Sequence, residues 1–594
     1  MHFECAGGNR PHRRKAASVH AGIAWERVVS VLFCALVLLG ALAHSEEVLV
    51  LPKLAGHSGG RLVVPLRAEP KTLNPLTAVD GASFAVTVRM HAGLVAVDRR
   101  THEVVSGLAR SWTLSRDGRF LTMQLRTGLR FSDGQPFDAD DVVFTFETLL
   151  DPKTASPFRG MFMAGNVPMS VERLDAHRVR FDLVEPQASW SRLFHDVPVL
   201  PEHLARRVRD DDGWLAAWGL RTPPEQMAGL GPYRLREHVP GERIVLEKNP
   251  HYWKIDAAGT RLPYIEQLIF EIVQSEEAQI LQFRSGSAHL VSAISPQSFD
   301  ALERGNERGY VLQDLGPGLD FTFVFFNLNE VQPGTDPLVA RKRAWFRDVR
   351  FRRAISEAVD REGIARVAYR RRAQPIVSHE SPGNTQWVDP ALRPSSRSVK
   401  RARALLTSAG FAWDAEQRLI DSGGHRVEFS LLVGAENPAR RQTAVLLEQD
   451  LRELGMRVSV VPLGHSALLE RVLGTLQYDG VVLRHNGANP DPNSRGPMLV
   501  SSGPIHLWQR SGHALTPWEE EIDALMAEQA ASLDPVARGL LYDRVQEIVA
   551  TELPVIPVVS PHVLVGARTG LMGLFPVVTE HVTLWNVDEL YWRK

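Results

Sequence analysis

One stretch of the chain decides its fold class. Val427, Phe429, Leu431 and Val433 recur every second residue, which is the period of a strand. Ala444, Leu447, Leu451 and Leu454 then recur at helical spacing, and Gly455 stands where a helix closes with a left-handed residue. Met456 to Val461 reads as a second strand, ended by Pro462. Two strands separated by a whole helix must run the same way in their sheet, with a right-handed crossover. The chain therefore holds a parallel sheet covered by helices. Two more helices carry their own start signals. Asp348 is placed to cap one with Phe351, Ala354, Ile355, Ala358 and Val359 inward. Asp534 followed by Pro535 opens another with Leu541, Val545 and Ile548 inward.

The first half is richer in strands. A glycine-containing lead-in over 48–60 precedes a strand over Arg61 to Leu66, and Asn74 before Pro75 makes a turn of 72–76. Leu121, Met123 and Leu125 alternate with Thr122, Gln124 and Arg126 as a half-buried strand. Asp133-Gly134 is a turn, and Asp138 caps a helix over Ala139 to Leu150. Asp140 and Asp141 suit its positive end, while Val142, Phe146 and Leu149 mark its buried face. At 594 residues the chain exceeds one ordinary domain, and about 100–200 residues per domain implies three or four units. No internal repeat is present.

Charge and cysteine usage narrow the function classes. The net charge of -1, from 68 basic and 69 acidic residues, lacks the footprint of a nucleic-acid binder. Both cysteines, Cys5 and Cys34, fall in the N-terminal segment, where Arg10, Arg13, Arg14, Lys15 and Arg27 precede an uncharged run from Val28 to Ala43. Ala41-Leu42-Ala43 fits a signal-peptidase site, so residues 1–45 read as a signal peptide. An uncleaved anchor is the alternative. Removal would leave a mature chain without cysteine, hence without disulfides, a cysteine-based zinc site or a cysteine nucleophile. The chain has no HExxH, P-loop or complete GxGxxG pattern. Asp491-Pro492-Asn493-Ser494-Arg495-Gly496 fails as a calcium loop, because Arg495 and Ser502 stand where oxygen ligands are required. An exported hydrolase would need a nucleophile–base pair or paired carboxylates, and neither is legible.

A series of blocks then points to a family. It starts with Leu108-Ala109-Arg110-Ser111-Trp112 and Ser115-Arg116-Asp117-Gly118. Residues 125–134, from Leu125 to Asp133-Gly134, and 137–144, from Phe137-Asp138 to Phe144, follow. Leu73-Asn74-Pro75, Leu200-Pro201-Glu202-His203-Leu204, Gly229-Leu230-Gly231-Pro232-Tyr233 and Glu247-Lys248-Asn249-Pro250 lie around them. Phe326-Asn327, 348–355 and Ala409-Gly410-Phe411 come later, in order. In these residues the chain resembles the extracytoplasmic solute-binding proteins of peptide and nickel ABC importers, over nearly its whole length after the signal.

That resemblance implies an α/β fold of two lobes joined by a hinge, with an extra inserted domain. Lobe I would combine 60–105, 228–320 and 555–594, the inserted domain would be 106–227, and lobe II would be 321–554. A small solute, a peptide or something like it, would be trapped by closure of the lobes and delivered to the membrane permease subunits of an ABC importer. The protein would work in the periplasm as a monomer, without cofactor, metal or nucleic acid. Peptide binders of this kind hold the ligand's α-ammonium with an aspartate shortly before an Asp-Pro pair. Here that stretch is Arg484-His485-Asn486-Gly487-Ala488-Asn489-Pro490-Asp491-Pro492, and Ala488 or Asn489 stands near the aspartate's place. The departure leaves an opine, an oligosaccharide or a nickel chelate open as the solute, and a ligand-presenting sensor open as the role. The expected ligand-binding residues are Asn74 in the first lobe and Arg484, His485, Asn486, Asn489 and Asp491 in the second. Trp387 and Trp508 are expected in the core rather than in a pocket.

Overall fold

Where each segment finds its hydrogen-bond partners divides the chain into bodies. The computed structural model describes residues 46–594 apart from 189, 211, 212, 215, 216, 306–308, 395, 488 and 580. Residues 1–45, expected from the sequence to be a signal peptide, lie outside the described residues with both cysteines, and so does Ala488. Among the described residues, two four-stranded sheets and one eight-stranded sheet carry the architecture. The first runs Tyr233–Val239, Arg243–Lys248, Gln267–Ile272, Arg61–Leu66, its last pair parallel. The second is antiparallel throughout, in the order Ala109–Leu114, Phe120–Leu125, Arg178–Asp182, Ser170–Asp175. The third follows the path Leu290–Val291, Val555–Arg568, Phe321–Phe326, Gly480–His485, Glu428–Gly434, Arg457–Leu463. Tyr310–Pro317 and Ala373–Pro375 also pair with its long Val555–Arg568 strand.

The strand–helix–strand expected over 427–463 is present. Glu428–Gly434 and Arg457–Leu463 pair in parallel, and the helix Pro438–Glu453 joins them. Gly455 takes φ +83° just past the helix, where any side chain would be strained and its Cβ would meet the carbonyl of Gln417 at 2.5 Å. Pro462 does not end the second strand but sits inside it. That strand lies at the sheet edge, where a missing N–H leaves no ladder bond unmade. The Ala139–Leu150 helix begins at Asp138, whose carboxylate accepts from Asp140 N at 2.8 Å. Asp141 returns the bond to Asp138 N, a capping box of the kind that stabilises a helix start by about 1 kcal/mol. Burial pushes the Asp141 carboxyl up to about 7, and its two oxygens accept from the backbone N–H groups of Asp138 and Glu202. Arg126, placed on the outer face by its period, is buried instead. Gly107 O and Ser106 Oγ accept from it, and Trp253 packs beneath its guanidinium.

Three apolar clusters follow the same division. One draws on residues from Leu62 to Leu290 and returns at Ala567 to Leu590. A second lies wholly between Phe321 and Val559. The third is small, with Phe283, Ile294, Phe299, Leu302 and Leu564 at its centre. The backbone passes from the first two sheets to the helical lobe between Tyr310–Pro317 and Phe321–Phe326, and returns inside the Val555–Arg568 strand. Its residues Val555 to Val559 pair with Phe321–Phe326 and its residues 562–568 pair with Tyr310–Pro317. The result is an α/β protein of two lobes joined by two neighbouring strand crossings, with the antiparallel sheet as an additional unit on the first lobe. The antiparallel-sheet unit also touches the second lobe away from these crossings, where Ala188 N donates to Ala530 O at 2.8 Å and Pro186 and Leu533 flank Gly118.

Candidate functional site

Parallel strands end on one common edge, and in open α/β sheets solutes bind beyond their carboxyl ends. Glu428–Gly434 runs parallel to both Arg457–Leu463 and Gly480–His485, so Gly434, Leu463 and His485 mark one edge of the sheet. The lobe crossing lies beside it, because Phe321 pairs with His485. Chain order and strand direction alone thus place this edge against the hinge.

Cationic groups collect there. The Pro438–Glu453 helix starts at the edge with Asn437 as its cap, and Arg440 N donates to Asn437 Oδ1 at 2.9 Å. The Nε of Arg440 is buried without a hydrogen-bond partner. Burial, then the nearby Arg484 charge, lowers the Arg440 pKa. Tyr369, which shares a hydrogen bond of 2.9 Å with Thr322 Oγ1, lies within the field of both arginines. Arg484 pairs with Asp320, and the other oxygen of Asp320 accepts from Gly487 N at 2.8 Å. The ring of His485 lies flat on Phe321, 5.2 Å between centroids and 11° between planes. Burial first, then the Arg495 charge, pushes its pKa down to about 3, so the imidazole is neutral.

Behind this edge is a buried polar layer. Arg495 donates to Glu380 Oε1 at 2.8 Å, with side-chain exposures of 1% and 0%. Tyr542 OH donates to Glu380 Oε2 at 2.8 Å, and His379 stands 3.2 Å from the same hydroxyl. Arg538 makes two bonds to Asp491, at 2.9 and 3.1 Å, and stacks over Trp387. Arg538, Tyr542 and Gln546 lie on the inner face of the Pro535–Glu552 helix, while Leu541 is only half-buried. The apolar period of that helix gave no sign of these polar residues.

The expected ligand-binding residues separate into two groups. Arg484, His485 and Asn486 stand together at the strand end, and Asn486 is exposed. Asn74, Asn489 and Asp491 do not stand with them and form hydrogen bonds within the fold. Asn74 is fully buried; its amide donates to Trp214 O and its carbonyl accepts from Leu76 N, which holds the turn before Pro75. Asn489 accepts from Asp491 N at 3.0 Å and shapes the loop. Asp491 is buried, with both oxygens filled by Arg538 and one also capping Asn493 N. Trp387 and Trp508 are core residues, as expected. Arg440, Tyr369 and Asp320 were not anticipated. The signal for Arg440 was present, an arginine in the first turn of a helix that follows a strand directly.

An open depression of about 540 Å³ lined by Asp138, Glu202, His203 and Arg206 lies elsewhere, and its charges pair among themselves and with Asp133. Among the described residues no group of three or more His, Cys, Asp or Glu could hold a metal ion, and no helix is long and apolar enough to cross a membrane.

Comparison with known proteins agrees with this architecture. Residues 103–506 match the family described as bacterial extracellular solute-binding proteins, family 5, middle region. Di/tripeptide-binding protein 3 of Pseudomonas aeruginosa is 25% identical over 533 residues, covering 86% of this chain and 91% of that protein. The periplasmic alpha-galactoside-binding protein of Rhizobium meliloti is 26% identical over 495 residues, covering 78% and 70%. The oligopeptide-binding protein AppA of Bacillus subtilis, solved with a nonapeptide, superposes with a TM-score of 0.70 at 21% identity, over 91% of this chain and all of that one.

Proposed function

Because the chain belongs to the bacterial extracellular solute-binding proteins of family 5, we propose that it captures a peptide or peptide-like solute between its lobes and delivers it to an ABC importer. The lobes would close by rotation about the two strand crossings, since a solute touching both walls favours the state in which both are near. Lobe I would comprise 60–105, 228–320 and 555–594, lobe II 321–554, and the inserted domain 106–227. The protein would act in the periplasm, released from or held by residues 1–45, as a monomer that changes no covalent bond in its cargo.

The observation that carries the reading is the edge where Gly434, Leu463 and His485 end beside the hinge, with Arg440 lacking an acceptor for its buried Nε. A half-buried guanidinium beside a second arginine and a helix N-terminus favours a negatively charged group. The carboxylate of a peptide supplies one. Isothermal titration with dipeptides, tripeptides and oligopeptides tests this, with Arg440→Ala as the control variant. A peptide should bind, and Arg440→Ala should weaken it at least tenfold. Failure of every peptide class would refute the peptide assignment.

A second solute class is favoured by a separate observation. Asp491 is tied to Arg538 and Asp320 to Arg484, so neither stands free to receive an α-ammonium. Oligosaccharides, opines and nickel chelates need no such group, and one relative is named for an alpha-galactoside. Mass spectrometry of solute that co-purifies with the protein discriminates between the classes. Loss of uptake on deletion separates import from a sensing role.

A further inference from the structure

The turn 368–372 belongs to the second lobe: Ala368, Tyr369 and Ala373 are part of its apolar cluster. Its last residue reaches across to the first lobe. Arg372 Nε is 3.3 Å from Asp300 Oδ1, Nη1 is 2.9 Å from Asp314 Oδ2, and Nη2 is 2.6 Å from Glu303 Oε2. Its guanidinium lies 4.3 Å from the centroid of Phe299. Asp300, Glu303 and Phe299 all sit on the Pro296–Gly305 helix, which packs in the small cluster on the first-lobe side of the long strand. Asp314 lies in Tyr310–Pro317, the strand that enters the crossing, and it also bonds to His562 in the returning strand. One arginine therefore ties a second-lobe turn to a first-lobe helix and to the hinge strand at once.

The backbone that presents Arg372 is strained. Arg370 and Arg371 take φ of 52° and 65°, two consecutive left-handed residues without a glycine. Such strain persists only where surrounding contacts hold it, and it gathers at clamps and switches. The turn is held by Arg371 N to Ala365 O and Arg372 N to Tyr369 O, and His562 N donates to Arg372 O. Arg370 adds a contact of 3.6 Å to Asp300.

The crossing itself is gripped from the second lobe. Gly318 O accepts from Ser381 Oγ and from Ser560 Oγ, and Gly318 N donates to Pro561 O. Gly383 and Gly487 lack side chains where Pro317 O and Leu319 O pass within 2.2 and 2.0 Å of a would-be Cβ. With 317–320 bound to the second lobe in this way, rotation must occur on the first-lobe side of the crossing. That is where Arg372 makes its three carboxylate contacts.

We infer that Arg372 is a latch across the back of the hinge, which holds the lobes in the relative orientation seen here and must rearrange when they rotate. The inference rests on the two-lobe reading and not on the identity of the solute. Two of its acceptors, Asp300 and Glu303, lie on the Pro296–Gly305 helix outside the second-lobe cluster, and the third lies on the hinge strand. Rotation about the crossing would change all three distances together, and a guanidinium fork tolerates little change in geometry.

The test uses the full chain without added solute, with Cys5→Ser and Cys34→Ser so that labels attach only where intended. Spin labels on Val167→Cys and Val445→Cys, both exposed and one on each side of the hinge, report the interlobe distance by double electron–electron resonance. Arg372→Gln should shift or broaden the main distance population. The double variant Asp300→Asn with Glu303→Gln removes the first-lobe partners while leaving Arg372 and Asp314 in place, and it should reproduce the shift. It also serves if Arg372→Gln fails to fold. An unchanged distance distribution in a folded variant of either kind overturns the latch.

Discussion

Replacing Glu380 with glutamine leaves Arg495 charged and buried without its counter-ion. The two side chains are 0% and 1% exposed, at 2.8 Å. At an effective dielectric constant of about 20, a pair at this distance attracts by roughly 6 kcal/mol. Most of that attraction offsets the desolvation of the two charges, so the pair adds little relative to an apolar pair of the same size. Removing one partner is different, because the desolvation of Arg495 stays while its compensation is lost. The expected destabilisation by Glu380→Gln is about 3–5 kcal/mol. Tyr542 adds little to it, since its hydroxyl can still donate to the amide oxygen. Urea unfolding followed by tryptophan fluorescence should show a lower midpoint at an unchanged slope. Hydrogen exchange in Pro535–Glu552 should quicken, because Tyr542 carries the effect into that helix. The double variant Glu380→Leu with Arg495→Met should be markedly more stable than Glu380→Gln alone. A loss below about 1 kcal/mol for the single variant, or a double variant as unstable as the single, would refute the argument that an uncompensated buried charge dominates.

Gly383→Ala should displace the hinge strand, since its Cβ would stand 2.2 Å from Pro317 O and 2.7 Å from Gly318 O. A loss of about 2–3 kcal/mol is expected in urea unfolding, and a variant as stable as the parent would mean that the crossing is loosely held. Acid should also destabilise the protein. Burial holds His91 at about 4 and His379 at about 3. Both folded values lie below the ~6.5 of an unfolded histidine, so the unfolded chain takes up protons first. The stabilisation is complete above pH 6.5 and declines as pH falls toward 4 for His91 and 3 for His379. By pH 5.5 each ring should have lost about 1.3 kcal/mol, while the raised Asp141 value works in the opposite direction; the histidine share is read as the difference in Tm change between the parent and His91→Gln from pH 7.5 to 5.5, and equal changes would mean that the ring is hydrated in the folded state.

Much of the local structure was legible because its causes are local. Asp138, Asp348 and Asp534 each begin the helix they were expected to begin, since a cap needs only the amides of its own first turn. The parallel pairing over 428–463 followed from period and length. Arg126 and Pro462 were misjudged for one shared reason, that a residue's outward face depends on what lies beyond its own strand. Arg126 finds acceptors in Gly107 and Ser106, and Pro462 lies on a strand with no outer neighbour. The site was half legible. Arg484, His485 and Asn486 sit where the chain order of a parallel strand must leave them. Asn74, Asn489 and Asp491 carry the same residue types but spend them on turns and on Arg538.

Sequence by itself determined the class of the fold, the caps and strands that build it, and the family to which the chain belongs, because periodicity, turn chemistry and motif order are properties of neighbours along the chain. Tertiary structure alone decided which polar groups remain available. Arg495 meets Glu380 across 115 positions and Arg372 meets Asp300 across 72. At such separations the charge on a side chain says nothing about whether a partner has already neutralised it. Only the packing of two lobes around two crossing strands settles that.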